Sequence, residues 1–344
     1  MKSNTSRKPI KLQQNIIMLI AMIVLIGVFA IFNPNFVMDK YSVLRMILSL
    51  APYAILSLGA TFVIATGGID LSIGTVCIAV AAMSGKMYTN GWIPLWVVIP
   101  LMIGMGAIFG IINGFLVAKL KVPAFIGTMG IMMLSRGLSA LLVSDPNVFF
   151  PTGTWFSKVF SNYNNFPVGI LWVLALMLLC MYLMYKNKLG RYILAIGSNE
   201  EATRLSGINT TKYKWMAYIL SGTFAGIAAI FWAASFPTIA CATGNGMELD
   251  ATAGVYIGGT SSAGGIASVS GSVIGSALLV VIRQGLNLVL AKMNLNLNAT
   301  YVTYVLTGII IVVAILMDIA KTNNQSKVKI EKPKKEEVKK PSAQ

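Results

Sequence analysis

The 344-residue chain carries a formal charge of +16, yet only 11% of its residues are charged and 56% are hydrophobic. A water-soluble domain has about 25% charged residues, so this composition excludes a soluble fold and predicts an integral membrane protein. The chain has no histidine, and its three cysteines form no metal-binding or disulfide pattern. Nucleic-acid binding is not indicated, because most of the 27 lysines and arginines fall in four places: the two ends, one short loop and the middle.

Long, separate apolar runs predict membrane-spanning helices rather than a β-barrel. We expect ten spans, at about 16–32, 43–65, 66–84, 93–117, 123–143, 168–185, 215–234, 249–265, 269–290 and 301–317. The third and eighth are short and rich in Gly, Ser and Thr, which makes them candidates for broken or re-entrant segments. Ten spans with the N-terminus inside place all four groups of cations in the cytoplasm, as the positive-inside rule requires.

The predicted fold class is therefore an all-α membrane protein of about ten transmembrane helices in two five-helix halves. We divide the chain into a cytoplasmic N-tail (1–15), a first membrane half with spans one to six (16–185), a cytoplasmic loop (186–214), a second membrane half with spans seven to ten (215–318) and a disordered basic tail (319–344).

The longest polar interruption, Gly190–Lys214, lies near the middle of the chain and predicts one short helix. Ser198 or Asn199 can cap its N-terminus, and Glu201 completes a capping box with Ser198. Gly207 supplies the C-terminal stop.

The composition of this short helix leaves two interpretations open. Glu200 and Arg204 are four residues apart, a spacing that favours an ion pair on one face, and small residues lie on the other face. A short helix with one charged face and one face of small residues suits docking to another protein. It equally suits a capped turn between two spans.

A helix break is predicted at 66–75, the sequence TGGIDLSIGT. Gly67 and Gly68 allow unusual backbone angles, and Asp70 and Ser72 place polar groups at the edge of the bilayer. A carboxylate there is costly unless it is paired or hydrated. Asp70 is expected to be a water-facing N-cap of span three, and it also suits the lining of a polar passage.

Four further charged residues lie in or beside apolar segments. Glu248 and Asp250 are two residues apart, but no nucleophile, metal ligand or histidine accompanies them, so a catalytic role is not expected. Arg136 is expected to mark a cavity or an ion pair. Arg283 is expected to reach an interface with its long side chain.

Several motifs give the chain a resemblance to a known family. They are TGGIDLSIG at 66–74, INGFLVAKLKVPAFIGTMG at 112–130, GRYILAIGSNEEATRLSGIN at 190–209, MELDATAGVYIGGTSSAGG at 247–265 and RQGLNL at 283–288. With their spacing they cover roughly 33–318, and the chain resembles the membrane-spanning permease subunits of bacterial ABC importers for monosaccharides, the ribose-permease group.

The resemblance implies a multi-pass plasma-membrane protein with no catalytic residue, metal or cofactor of its own. ATP would be used by a cytosolic ABC ATPase subunit; the other partners would be an extracytoplasmic sugar-binding protein, a second permease copy, expected to form a homodimer, and the lipid bilayer. The short central helix would be the coupling helix, with these residues contacting the ATPase: Asn199, Glu200, Ala202, Thr203, Arg204 and Leu205. The translocation path would include Gly67, Gly68, Asp70, Ser72, Arg136, Glu248 and Asp250.

Two departures from the family pattern bear on the solute. Tyr256 is bulkier than the small aliphatic residues usual there, and Ala240-Cys241-Ala242 is also unusual. Ribose or a similar sugar is the expected cargo. A nucleoside or other small polar solute is the alternative, and a stand-alone secondary transporter is the less favoured one. A membrane enzyme is not expected, because the sequence shows no cluster of a nucleophile, a base and metal ligands.

Overall fold

A computed structural model describes residues 10–143, 147–240 and 246–292, with separate helical positions between 301 and 316. The tenth predicted span is thus described only at separate positions, and Cys241 and the basic tail lie outside the described residues. The described chain is almost entirely helical, in this order: α1 (Ile10–Phe32), α2 (Asn35–Met38), α3 (Lys40–Ala65), α4 (Ile73–Thr89), α5 (Leu95–Gly114) with a π-helical extension (Phe115–Lys119), α6 (Ala124–Val143), β1 (Asn147–Phe149), α7 (Trp155–Phe160), α8 (Gly169–Tyr185), α9 (Lys188–Ser198), α10 (Glu200–Leu205), α11 (Thr210–Ser235), β2 (Thr238–Ala240), α12 (Met247–Ile257) and α13 (Val269–Lys292).

Six described helices are long and apolar enough to cross a membrane: α1, α3, α5 with its extension, α6, α11 and α13. The pair α8 and α9 is bent by 65° and makes a seventh span if it is counted as one. α4 has 17 residues and α12 only 11, so α12 is about 16 Å long, half of a bilayer core. The third and eighth predicted spans are therefore short helices, and the prediction of about ten spans is not confirmed.

α3 forms the centre of the bundle. Every residue from Ser49 to Ala65 except the half-buried Leu50 is buried, because α11, α12, α13 and α8 pack around it. Large apolar side chains of α1, α6 and α8 instead face outward. A central helix surrounded by helices with apolar outer surfaces is the arrangement expected for a protein immersed in lipid.

Glycines bring α5 and α11 into backbone contact. A Cβ atom on Gly222 would lie 2.3 Å from the carbonyl oxygen of Gly106 and 2.6 Å from the nitrogen of Gly110. One on Gly226 would lie 2.3 Å from the carbonyl oxygen of Met102. These glycines recur every four residues on each helix, the small-residue spacing that lets membrane helices approach closely.

A second glycine contact joins α12 to α13. A Cβ atom on Gly271 would lie 1.9 Å from the carbonyl oxygen of Gly258, and one on Gly275 would lie 2.1 Å from that of Gly254. The four-residue spacing is the same as between α5 and α11. The half-length helix α12 is thus fixed to the full-length helix α13.

The two ends of the bundle differ. At one end, β1 pairs antiparallel with β2, Val148 lies opposite Ile239, and the side chains of Val148 and Phe150 cover Gly85 of α4. The other end carries α10, the C-terminus of α3 and the N-terminus of α13. We call these the β end and the α10 end.

The central polar segment contains two helices where one was predicted. α9 begins at Lys188, capped by the Asn187 side chain, which accepts a hydrogen bond from the Leu189 nitrogen at 3.0 Å. α9 ends at Ser198, and α10 begins at Glu200 after one extended residue, Asn199. The prediction missed α9 because its apolar residues continue the pattern of the preceding span.

Candidate functional site

The chain breaks between α3 and α4 because glycines allow the backbone to turn and to approach a side chain closely. Gly67 has φ of +79°. A Cβ atom on Gly68 would lie 2.7 Å from the hydroxyl of Tyr218, which donates a hydrogen bond to the Ile69 carbonyl oxygen at 3.2 Å. The predicted helix break is therefore present, and it is held against α11.

Asp70 is the centre of a buried hydrogen-bond network at this break, with only 3% of its surface exposed. Its Oδ1 accepts from the Ser72 nitrogen at 3.0 Å and the Ser72 hydroxyl at 2.7 Å. Its Oδ2 accepts from the Ser221 hydroxyl at 2.7 Å. Asn113 of α5 donates to the Ser72 hydroxyl at 2.7 Å and to Oδ1 at 3.5 Å.

The prediction that Asp70 is a water-facing N-cap is wrong. Ser72 is the N-cap of α4, and Asp70 lies two residues earlier, inside the protein. The cost of burying a carboxylate is offset by the hydrogen bonds that it accepts from neutral donors on three elements. Asp70 thereby connects the break to α5 and α11.

The N-terminus of α12 meets the N-terminus of α4. A Cβ atom on Gly74 would lie 2.5 Å from the Glu248 nitrogen and 2.8 Å from its Oε2. Glu248 and Asp250 are both buried in the first turn of α12. Two helix N-termini direct their positive dipole ends to this region, which favours carboxylates there.

Each of these two carboxylates has an arginine partner on a different helix. Arg136 of α6 lies 3.7 Å from Oε1 of Glu248, whose other oxygen has no hydrogen-bond partner among the described residues. Arg283 of α13 forms an ion pair with Asp250 and donates to the hydroxyl of Tyr53 at 2.9 Å. α12 is therefore held between α6 and α13 by opposite charges.

Arg283 was expected to reach an interface with its side chain, but that side chain turns to Asp250 and pairs with it. Its side chain is 23% exposed and that of Arg136 is 35% exposed, so Arg283 is the more enclosed of the two. No group of three or more potential metal ligands occurs in the described part of the chain. The charges suit a polar lining more than acid–base chemistry.

α10 has the terminal signals that its sequence predicts, with one change. Asn199 is the N-cap, and its side chain accepts from the Ala202 nitrogen at 2.9 Å. Ser198 ends α9 instead and donates to the Leu194 carbonyl oxygen, so the predicted Ser198–Glu201 capping box is wrong. At the other end Gly207 adopts φ of +82°, and its nitrogen donates to the Arg204 carbonyl oxygen.

The predicted ion pair between Glu200 and Arg204 is also wrong. Arg204 pairs with Glu201 at 2.5 Å, and this hydrogen bond lowers the pKa of the Glu201 carboxyl below its usual value. Glu200 faces α11, where Lys214 lies 2.5 Å away, and it also approaches Lys121 of the α5–α6 loop at 3.9 Å. α10 is thus attached to the bundle through Glu200.

The six residues predicted to contact a partner fall into two groups. Asn199, Ala202, Arg204 and Leu205 are exposed, Leu205 at 77%. Thr203 is buried and Glu200 is half-buried. The exposed group forms a surface of two apolar and two polar side chains at the end of the bundle.

Glycines also connect α10 to the helix break. A Cβ atom on Gly197, two residues before the α10 cap, would lie 2.0 Å from the Ala65 carbonyl oxygen. The same oxygen accepts from the Gly265 nitrogen at 3.0 Å. A Cβ atom on Gly264 would lie 2.7 Å from the Gly67 nitrogen. The ends of α3 and α9 and the loop after α12 therefore come into backbone contact, and we call this contact the glycine junction.

A profile described as a permease component of branched-chain amino acid transport systems matches residues 42–315. The chain belongs to this permease family. The ribose import permease protein RbsC of Escherichia coli is 34% identical to this chain over 310 residues. The match covers 87% of this chain and 92% of RbsC. The fructose import permease protein FruF of Bifidobacterium longum is 30% identical, with 90% and 88% covered. The L-arabinose transport system permease protein AraH of Escherichia coli is 31% identical, with 88% and 89% covered. No solved structure matches the permease.

The structure brings the predicted path residues into two neighbouring groups and separates one from them. Asp70 and Ser72 belong to the hydrogen-bond network at the break, and Gly68 lies beside it against Tyr218. The two acidic residues of α12 with Arg136 form the second group. Gly67 instead lies at the glycine junction, where a Cβ atom on Gly67 would lie 3.4 Å from the Ala263 carbonyl oxygen.

Sequence reasoning missed the partners of these residues in the permease. Asn113 and Ser221 look like ordinary polar residues of apolar helices, and Tyr53 looks like a packing residue. The available signal was that a polar side chain inside an apolar helix needs a partner. The sequence does not show which one.

Proposed function

We propose that this permease passes a monosaccharide, with ribose the first candidate, across the plasma membrane as the transmembrane subunit of an ATP-driven importer. The proposal is carried by one observation: three relatives that are at least 30% identical over most of both chains are named as permeases for ribose, fructose and L-arabinose. The chain itself supplies polar and charged groups inside an apolar bundle but no nucleotide-binding motif. Energy would come from a separate cytosolic ATPase subunit.

The broken helices fit a solute path. α4 and α12 both begin inside the bundle, and buried charged residues adjoin their N-termini. In many transporters, discontinuous helices with facing termini form the solute site. We propose that the path passes this region, between two copies of the permease, and receives its solute from an extracytoplasmic binding protein at the β end.

The exposed face of α10 is the proposed contact for the ATPase subunit. Its two anchoring features are the ion pairs of Glu200 and the glycine junction, which would pass a displacement of α10 to the end of α3. Leu205 and Arg204 are the most useful probes because both are exposed. Thr203 would support the helix from beneath.

Binding of the purified ATPase subunit to the permease tests this contact. Leu205→Asp and Arg204→Glu should each weaken binding at least about tenfold, as expected for central interface residues. Lys158→Glu is the matched charge reversal at the β end, where Lys158 is exposed, and it should bind the ATPase subunit normally. Wild-type affinity in both α10 variants would contradict the docking role.

The side of the membrane that carries α10 is tested by cysteine labelling. Cys77 and Cys180 are buried, so Cys241→Ser gives a suitable background. An impermeant maleimide on intact cells should label Phe149→Cys of β1, which is 60% exposed, and should label Ala202→Cys only after lysis. Labelling of Ala202→Cys on intact cells would contradict the proposed topology and with it the ten-span arrangement.

Cargo and energy source are tested together in proteoliposomes that contain the permease, its ATPase subunit and its binding protein. D-ribose uptake should require ATP and exceed uptake of a nucleoside or of leucine, the latter because the family description names branched-chain amino acids. Uptake by the permease alone, driven by a proton or sodium gradient, would favour a secondary transporter instead.

A further inference from the structure

α6 lies at the margin of the bundle, and one side of it packs against the rest of the described chain. That side lies on α4. The Ser135 hydroxyl donates to the Thr75 hydroxyl at 3.0 Å, and the Thr128 hydroxyl accepts from the Leu71 nitrogen at 3.2 Å. The opposite side is exposed. We call it the α6 face, and it consists of Ile126, Met129, Gly130, Met133, Leu134 and Gly137.

Gly130 and Gly137 form a line along the α6 face, because seven residues are two helical turns. A Cβ atom on either glycine would meet no atom of the described chain within 4 Å. The glycines that join α5 to α11, and those that join α12 to α13, are each covered by the backbone of a partner helix. Small residues on a membrane helix are typical of such close contacts. The line on α6 has the same character, but its partner helix does not come from the described part of this copy.

Arg136 lies at the edge of the α6 face. It follows Met129 by two helical turns, so the two share a line beside the glycines. Its guanidinium lies 3.7 Å from Glu248, and 35% of its side chain remains exposed. The residue is about 10 Å along the helix from the end of α6 at Val143. An ionisable side chain at this depth faces protein or water rather than lipid. The exposed part of Arg136 therefore requires a neighbour other than lipid beside α6.

The outward side of α8 shows how a lipid-facing helix of this chain is composed. α8 contains no charged residue. Its exposed large residues are apolar or aromatic: Leu171, Trp172, Leu174, Leu178, Leu179 and Tyr182. Side chains of this kind suit hydrocarbon tails and the aromatic belts at the membrane surfaces. The α6 face, with its two glycines and the adjoining arginine, differs in both respects. The contrast favours protein over lipid as the neighbour of α6.

We propose that a second copy of the permease docks on the α6 face through its own α6, and that Arg136 of both copies lines the path between them. A two-fold axis places the same face of each copy against the other, and the glycine line allows the two helices to approach closely. Arg136 then opens into the seam between the copies, with Glu248 behind it. The inference rests on the proposed function, which places the path between two copies, and deepens it by naming the face that they share.

Photo-cross-linking in membranes that contain the complete importer tests this contact. Met133→benzoylphenylalanine places a photoreactive ring on the α6 face, and Leu178→benzoylphenylalanine is the matched control on α8. The two native side chains are similarly exposed, at 54% and 62%. A benzophenone inserts into C–H bonds of protein and lipid alike, so water access does not bias the comparison. Illumination should join two permease chains, a product of twice the 36.9 kDa of one chain, from Met133 and not from Leu178.

Cross-linking is scored in variants that keep ATP-driven D-ribose uptake, and Ile126 is the second position on the α6 face if the Met133 variant does not assemble. A product from Leu178 and none from the α6 face would place the second copy on α8 and overturn the inference. No product from either α6 position in an importing complex would also overturn it. Both results leave the proposed function standing. An importer that contains a single permease chain would instead refute the path between two copies, and the inference would fail with it.

A charged methanethiosulfonate distinguishes a water-filled seam from lipid. The reagent reacts with the ionised thiolate, and a thiol in an apolar environment is seldom ionised. Met129→Cys lies on the line of Arg136 and leaves the arginine in place. Leu178→Cys is again the control, and both are made in the Cys241→Ser background. Met129→Cys should react at least about tenfold faster than Leu178→Cys. Equal rates would mean that lipid covers the α6 face and would overturn the inference.

Discussion

Gly222→Ala should destabilise the permease through a single added methyl group. The new Cβ would lie 2.3 Å from the Gly106 carbonyl oxygen, and it would also meet the nitrogen and Cα of Gly110 at 2.6 and 2.7 Å. All three are backbone atoms, so no side chain can turn away, and α5 and α11 must separate by about 1 Å to reach ordinary contact. Overpacking of this kind costs about 1–3 kcal/mol, and the rigid neighbours favour the upper part of that range.

Thermal unfolding of the detergent-purified protein, followed by fluorescence-detected size exclusion, measures the effect. A loss of 2–3 kcal/mol should lower Tm by about 5 °C. Gly104→Ala is the matched control on α5, because a Cβ there meets nothing within 4 Å, and its Tm should stay equal or rise, since Ala favours a helix over Gly. Equal Tm values for the two variants would refute the close backbone contact.

Three further outcomes follow from the site. Asp70→Ala should lower the yield of folded protein severely, because it leaves the buried hydroxyls of Ser72 and Ser221 without their acceptor at about 1–3 kcal/mol each; a normal yield and Tm would contradict the network. Gly207→Ala should cost about 1 kcal/mol for its φ of +82°, seen as a lower Tm, whereas unchanged stability would argue against the C-terminal turn of α10. Glu200→Gln should cost less than about 1 kcal/mol, since its ion pairs are partly exposed, and the difference in Tm from the wild type should disappear in high salt; a difference that persists there would exclude the ion pairs as its cause.

The parts of the fold that follow from local chemistry could be predicted from the sequence. The cap at Asn199 and the stop at Gly207 depend on residues only three or four positions away, and both are present. The helix break near Gly68 is local in the same way. Apolar runs likewise located the long helices, because length and composition alone identify them.

What the sequence could not give is the partner of each polar residue. Asp70 was expected to face water, but its donors Asn113 and Ser221 lie 43 and 151 positions away. The spacing predicted an ion pair between Glu200 and Arg204. The fold instead brings Lys214 close to Glu200, and these two residues form the ion pair. Tertiary contact decides such pairs, and no periodicity records it.

The eighth span was expected to be short, but the point where α12 ends escaped prediction for a related reason. Its residues are apolar enough to continue into the Gly-rich segment that follows, so the sequence does not show that the helix stops at Ile257. Three glycines with positive φ in the next segment, Gly259, Gly264 and Gly265, reverse the chain toward α13. A composition-based span therefore included both a helix and its turn.

The backbone contacts of α5 with α11 and of α12 with α13 leave almost no room for sliding within either pair. Each pair should therefore behave as one rigid block, and any alternation between outward-open and inward-open states must occur as a shift of one block against the other, around α3. The ion pair of Asp250 with Arg283 lies within the second block and would travel with it. The hydrogen bonds of Asp70 to Asn113 and Ser221 would hold the start of α4 to the first block, so the contact of Gly74 with Glu248 marks the seam where the two blocks would part.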